Sequence, residues 1–376
     1  MSFRILGLSI ALCLSACSQT QVVPEQDNAP QAIEVRKSPN DDRDYRYLVL
    51  DNKLQVLLVS DATTDRAAAS LVVNRGSFHE PQNRPGLAHF LEHMLFIQTE
   101  TYPEVDGFQA YVTGNGGSSN AYTALDHTNY FFDIQPSAFR EGVDRFAHFF
   151  IDPIISDEYA QREKNAVHSE YQMQIKEDGW RGYMVSKQTL NPAHPGAKFT
   201  IGSLSTLAGD IQADLVKFFE EHYSADQMAL VALSNESLDE LEAWIVPLFS
   251  QIANRDAGPI YPEVPLYGKG ALPARLEVKK EKAGAELSFD FPVPSVRPHY
   301  RNKPQQYLAN LLGHEGEGSL HHYLNNQGWI ESLSAGVSDF DHNNSIFNVT
   351  VRLTPAGEAA EEAVSSALFG YLDMLR

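Results

Sequence analysis

The sequence predicts an α+β protein made of two mixed domains. Three observations carry that expectation. Short apolar runs with strand character are interleaved with long runs of helical periodicity. The two kinds do not alternate in the regular β-α-β rhythm of a doubly wound parallel sheet, so each domain should be a mostly antiparallel sheet packed with long helices. A Gly- and Pro-rich stretch, "ANRDAGPIYPEVPLYGKGALP" at 253–273, then separates a first round of strands and helices from a second. The length of 376 residues, with 43% hydrophobic and 21% charged side chains, is ample for two cores.

Along the chain, "MSFRILGLSIALCLSAC" has an early cation at Arg4, an apolar run from Ile5 to Leu14 and then small residues. That is the pattern of a secretory signal, too short to span a bilayer as a mature helix. Leu14-Ser15-Ala16-Cys17 resembles a bacterial lipobox, which implies a signal over 1–17 and lipidation of Cys17. Ser18 after it favours delivery to the outer membrane, on the side facing the periplasm. Residues 18–44 are polar and contain Pro24, Pro30 and Pro39, as a flexible tether would. No later apolar stretch reaches about 18 residues, so Cys17 would be the sole membrane attachment. Cys13 lies inside the signal, which leaves the mature chain no disulfide partner.

From Tyr45 the elements follow in order. "YRYLVLDNKLQVLLVS" reads as two strands around a hairpin turn at Asp51-Asn52, and "RAAASLVVNRG" as a third. Pro85 should open a helix. A short helix, a Gly-rich turn and two strands ending near Ile134 come next, then helices over 136–151, 156–190 and 214–223. "MALVALS" is a strand and "LDELEAWIVPLFS" a helix, which completes a domain over 45–255. After the linker at 256–273, a second domain over 274–376 repeats strand, two helices and two strands, and the sequence stops inside an apolar helix beginning near Gly357. That domain is therefore expected to be incomplete. The net charge of −20 offers no basic stripe for phosphates and excludes a nucleic-acid partner.

The chemistry concentrates in "HFLEH", His89 to His93. On a helix, Leu87, Phe90, Leu91, Met94 and Leu95 form one apolar stripe, and His89, Glu92 and His93 fall on the other face. Two histidines at i, i+4 can point at one ion, and Glu92 beside them can take a proton from water that the ion activates. The plain alternative is a solvated helix face. From this composition H-x-x-E-H should arise only ~0.03 times by chance.

Zinc needs a further ligand, and "YAQREKNAVHSEYQMQI" (159–175) offers two. Tyr159, Ala160, Ala166, Val167, Tyr171 and Met173 define its apolar face, with Glu163 and Glu170 near the centre. Arg162, Asn165, His168, Ser169 and Gln172 fall on the outer side. Carboxylates facing a core are costly unless paired or bound to metal, so the alternative is a pair of buried salt bridges. With His89 and His93 the economical reading is a His-His-Glu zinc site, one Glu coordinating and the other orienting. Spacing does not say which.

"RPGLAHFLEHMLF", "GSSNAYTALDHTNYFFDI", "REKNAVHSE", "NPAHPGAKF" and "LLGHEGEGSL" followed by "GW" stand in this order from about Tyr45 to the last residue. In that order they resemble the inverted-zincin M16 peptidases, the pitrilysin and insulin-degrading-enzyme group. The resemblance implies that His89, His93 and Glu170 are the ligands of one Zn2+ per chain. It makes Glu92 the general base and Glu163 the carboxylate supporting the site. Asn120 and Ala121 match positions on an edge strand that binds the substrate backbone, a role suited to an extended peptide.

In "GHEGEGSL" the glycines alone say only that backbone turns sharply or approaches something closely. By the same resemblance Gly313, His314, Gly316 and Gly318 belong to an exosite for the substrate's N-terminal end, while His321 and His322 are helix-surface residues. The family implies a zinc-dependent endopeptidase of short peptides, here in the bacterial cell envelope. A C-terminal half of the same protein would complete the chamber, and without it activity would be weak or absent. Some relatives keep the fold and lose the site, so a non-catalytic peptide-binding or assembly lipoprotein is the alternative, against which the intact His89, Glu92, His93 and Glu170 set speaks.

Overall fold

A computed structural model of the chain describes residues 35–281 and 284–376. Cys17, the signal and most of the tether lie outside the described residues. The last residues of the expected tether are held by local polar contacts: Asp41 accepts from Arg43 Nε at 2.8 Å and from the Tyr45 hydroxyl at 2.7 Å.

The first unit runs β1 (Asp44–Val49), β2 (Gln55–Ser60), β3 (Ala67–Val73), α1 (Leu87–Leu95), α2 (Gly107–Gly114), β4 (Ser118–Thr123), β5 (Thr128–Ile134), α3 (Phe139–Ile151), α4 (Asp157–Gln174), α5 (Asp178–Ser186), α6 (Ile211–His222), β6 (Met228–Ser234) and α7 (Leu238–Phe249). Its six strands are ordered β1-β2-β6-β3-β5-β4. Every pairing is antiparallel except β2 with β6. The period-2 pattern sets the register: Ala67, Ala69, Leu71 and Val73 of β3, and Tyr130, Phe132 and Ile134 of β5, are buried on one face. Helices cover that face. Phe108 meets Phe132 and Phe149 edge-on and Phe146 lies tilted against the same two rings, with centroids 4.8–5.7 Å apart. β4 lies at the sheet's edge.

The stripe expected on α1 is the core face: Leu87, Phe90, Leu91, Met94 and Leu95 are fully buried. Each adds about 2 kcal/mol through removal from water. Pro85, however, does not open the helix. Gly86 is the residue at the N-cap, with φ +92°, and a Cβ there would lie 2.3 Å from Gly202 Cα. The two backbones meet so closely that the chain must turn at Gly86, and the helix begins one residue later.

Two further expectations are corrected. The single helix over 156–190 is broken after Gln174, because Ile175 to Glu177 form a turn and α5 restarts at Asp178-Gly179, a pair with poor helix propensity. The face of α4 is also turned from the one expected. Ala160 and Val167 are buried, but Ala166 and Met173 are exposed and Lys164 is buried in their stead, donating to Gly209 O at 3.2 Å. α4 packs on the polar side of α1, so its inner row is Ala160, Glu163, Lys164, Val167 and Glu170. His168, expected outside, is half-buried.

Between the units, residues 253–284 form no helix or strand among the described residues, yet the segment is docked: Leu266 is buried, and Asn191 binds the carbonyls of Pro265 and Leu266. The second unit comprises β7 (Ala285–Pro294), α8 (Pro304–Leu312), α9 (Leu320–Asn326), β8 (Ile330–Asp339), β9 (Asn344–Leu353), α10 (Pro355–Glu358) and α11 (Glu361–Met374). Its antiparallel sheet has the order β7-β9-β8. Phe347, Val349, Val351 and Leu353 of β9 face Leu312, Leu324, Val364 and Leu368 of the helices. The β8–β9 turn reaches the first unit, where Asp341 Oδ2 lies 3.2 Å from Nε2 of the fully buried His194, and the linking segment, where Tyr261 stacks on His342. Among the described residues no helix is long and apolar enough to cross a membrane.

Candidate metal centre

The site is built on α1, whose start is unusually well held. The buried Glu80 carboxylate accepts from the backbone N–H of Gly86 at 2.9 Å and of Ala88 at 3.0 Å, satisfying two donors that a helix leaves unpaired. Burial nonetheless pushes the Glu80 carboxyl up to about 8, against those bonds and the nearby Lys198 and Lys187.

His89 and His93 project from one side of α1 with rings 4.8 Å apart and nearly perpendicular. His89 Nδ1 lies 2.8 Å from Ile201 O; a carbonyl only accepts, so Nδ1 carries the proton and Nε2 is left with its lone pair. His93 Nδ1 lies 3.7 Å from Glu163 Oε2, an ion-pair distance that places this carboxylate behind the ring. Both Nε2 atoms then face Glu170 on α4: its Oε2 is 3.4 Å from His89 Nε2 and 3.7 Å from His93 Nε2. The three ligand atoms lie within 4.8 Å of one another. Donors about 2.1 Å from a tetrahedral zinc stand about 3.4 Å apart, so this set fits the ion. Spacing left Glu163 and Glu170 interchangeable; here Glu170 faces both Nε2 atoms, and Glu163 sits behind His93 with Arg162 Nε at 3.3 Å from its Oε1.

The charges follow from this packing. Burial works against protonation of His93, but Glu163 and Glu170 outweigh it and raise the group to about 9. The same contacts with His93 lower the carboxyls of Glu163 and Glu170. Glu92 behaves oppositely. It is only 7% exposed, and burial raises its carboxyl despite His89, Thr123 and His93. A buried carboxylate of raised pKa beside two imidazoles suits a general base.

β4 forms the opposite wall. Asn120 is exposed on this edge strand, and its Oδ1 accepts from Ala121 N at 2.9 Å. Thr123, unassigned by sequence reasoning, donates from Oγ1 to Glu92 Oε2 at 2.5 Å. Strand alternation with the half-buried Ala121 was the one signal that put Thr123 on this face. Beside it opens a cavity of about 680 Å³ lined by Ser77, Thr123, Leu125, Trp180, Tyr183 and Thr200, among others. Glu80 and the Ile201 carbonyl had no sequence signal. Gly313, His314, Gly316 and Gly318 lie in the loop between α8 and α9 of the second unit; His314 is exposed, Gly318 has φ +85°, and none belongs to the metal-ligating group.

Residues 55–193 match the family model described as "Insulinase (Peptidase family M16)", and residues 210–376 the one described as "Peptidase M16 inactive domain". The chain is 42% identical over 365 residues to the insulin-degrading enzyme-like 1, peroxisomal, of Arabidopsis thaliana, a match covering 94% of this chain and 37% of that protein. It is 38% identical to human insulin-degrading enzyme, covering 91% and 34%. Crystalline pitrilysin superposes with a TM-score of 0.84 at 34% identity, covering 92% of this chain and 37% of that one. The first half of the periplasmic protease PqqL from Escherichia coli shares the fold, at 19% identity and a TM-score of 0.67, covering 82% and 68%. The chain thus spans about a third of the length of the curated relatives it matches.

Proposed function

Since the chain belongs to the M16 insulinase family of peptidases, we propose that it is the zinc-binding part of an endopeptidase that hydrolyses short peptides. One observation carries the reading: His89, His93 and Glu170 present three ligand atoms to a common point, with Glu92 buried beside them. A zinc ion held there supplies Lewis acidity that activates water and polarises a peptide carbonyl. The chain's own residues do the rest. Glu92 takes the proton of the attacking water and passes it to the leaving amine. Ile201 O and Glu163 fix the two imidazoles. β4, with Asn120 and Ala121, pairs with the extended substrate backbone. The cavity walled by Trp180 and Tyr183 accepts an apolar side chain next to the scissile bond.

In this reading a C-terminal half of the same protein completes the chamber, which the greater length of the relatives supports. The 313–318 loop holds the substrate's N-terminal end. The protein is carried to the bacterial envelope by the 1–17 signal and anchored through lipidated Cys17, a reading supported by the sequence of that segment. Elemental analysis with peptide digestion tests the core proposal in the protein that carries this chain. One zinc per chain is expected, kept in Glu92→Gln while hydrolysis falls by about 10²–10⁴-fold. Cleavage at the wild-type rate by Glu92→Gln would refute the mechanism.

A further inference from the structure

The β4–β5 turn is gripped from two directions. On one side its main chain is held by Ser77 and Phe78, whose N–H groups donate to Ala124 O at 3.1 Å and Leu125 O at 2.8 Å. On the other its side chains are held by a residue of the second unit. Arg297 donates to Asp126 Oδ2 at 2.7 Å through Nη2 and to Asp339 Oδ2 at 3.2 Å through Nε. Asp126 Oδ1 is in turn 2.7 Å from His127 Nδ1, and His127 Nε2 is 3.3 Å from the Tyr122 hydroxyl. The Tyr122 and His127 rings meet edge to face at 5.5 Å. Hydrogen bonding by His127 and then Arg297 holds the Asp126 carboxyl well below the usual carboxylate range.

We propose that Arg297 is a positioning residue for the edge strand β4: acting through Asp126 and His127, it fixes the β4–β5 turn and the ring of Tyr122 beside the line along which a peptide would pair. This deepens the peptidase reading and rests on it. The Arg297–Asp126 pair is partly exposed on both sides. Such pairs contribute little to stability, so their consequence is order rather than fold stability. The order matters because Tyr122 and Thr123 are successive residues of that strand, and Thr123 is the partner of Glu92. The second unit thereby sets the wall against which substrate lies.

Hydrogen exchange of the zinc-loaded full-length protein, read by mass spectrometry beside peptide kinetics, tests this. In Arg297→Ala the amides of 122–128 should exchange at least about threefold faster while those of α1 are unchanged. KM for a peptide should rise by at least a similar factor with zinc content intact, and Arg297→Lys should recover part of both. Asp126→Asn, which removes the charge from the other side, should repeat the result and stands in if Arg297→Ala does not fold. Unchanged exchange at 122–128 in the folded variants, or faster exchange with unchanged KM, overturns the proposal. If the wild-type protein cleaves no peptide, the peptidase reading fails and the positioning of substrate falls with it, while the exchange arm still decides whether Arg297 orders the strand.

Discussion

Thr123 Oγ1 donates to Glu92 Oε2 at 2.5 Å, which joins the edge strand to the buried carboxylate beside the candidate metal ligands. A hydrogen bond to a charged group is worth about 1.5–3 kcal/mol. Thr123→Val keeps the shape and removes the donor, so kcat should fall by roughly tenfold or more with zinc content unchanged. Thr123→Ser should retain most activity. Equal rates for the Val and Ser variants would show that the contact does not orient Glu92.

Among the described residues, Glu163 approaches the candidate metal site through His93 Nδ1, at 3.7 Å. Glu163→Gln should therefore weaken zinc binding by about 10–100-fold without abolishing it, the usual cost of losing an outer partner. Competition with a colorimetric chelator measures this. A complete loss of zinc, as expected for Glu170→Gln, would mean the two carboxylates have been assigned in the wrong order.

Gly86 has φ +92°, and a Cβ there would meet the backbone of Gly202 at 2.3–2.4 Å. Movement of the Gly202 segment would shift Ile201, whose carbonyl holds His89, and movement of Gly86 would shift the start of α1. Gly86→Ala should cost at least about 2 kcal/mol of stability from the left-handed backbone and overpacking combined. It should also lower zinc affinity. Urea unfolding and chelator competition on one sample check both, and a stability change below about 0.5 kcal/mol would contradict the close approach.

Glu80 gives a pH dependence with a definite sign. Its carboxyl rises from 4.5 to about 8 in the folded protein. Between those values the folded state keeps a proton that the unfolded chain has released, so its contribution to stability is lost as pH rises through that window. The thermal midpoint of wild type should fall relative to that of Glu80→Gln from about pH 5 to about pH 8, because the amide cannot ionise. Parallel curves for the two proteins would show that the Gly86 and Ala88 N–H bonds and the lysines keep Glu80 charged throughout.

Much of this was legible in the sequence wherever one periodicity governed one surface. Leu87, Phe90, Leu91, Met94 and Leu95 gave the buried stripe of α1, and Asp51-Asn52 marked the first hairpin. The pattern failed where packing was polar or backbone-led. The wheel of α4 was misturned because its inner row contains Lys164, Glu163 and Glu170, which a hydrophobicity pattern reads as outer residues. The helix start was misplaced because Gly86 answers to Gly202, far along the chain. Thr123, Glu80 and the Arg297–Asp126 pair act through partners 31 or more residues away or through backbone donors, and no local spacing encodes such contacts.

Glu170 rides on α4, where only Ala160, Lys164 and Val167 are buried, and α5, which brings Trp180 and Tyr183 to the cavity, buries none of its residues. Such sparse burial marks a stretch that opens more readily than the core. A metal bridging Glu170 to the deeply seated α1 closes a long loop of chain and ties that loose stretch to a fixed one. In the proposed peptidase, metal loading and the shaping of the aromatic wall would then be a single equilibrium, and a chelator would blur the choice of peptide side chain as well as stop the chemistry.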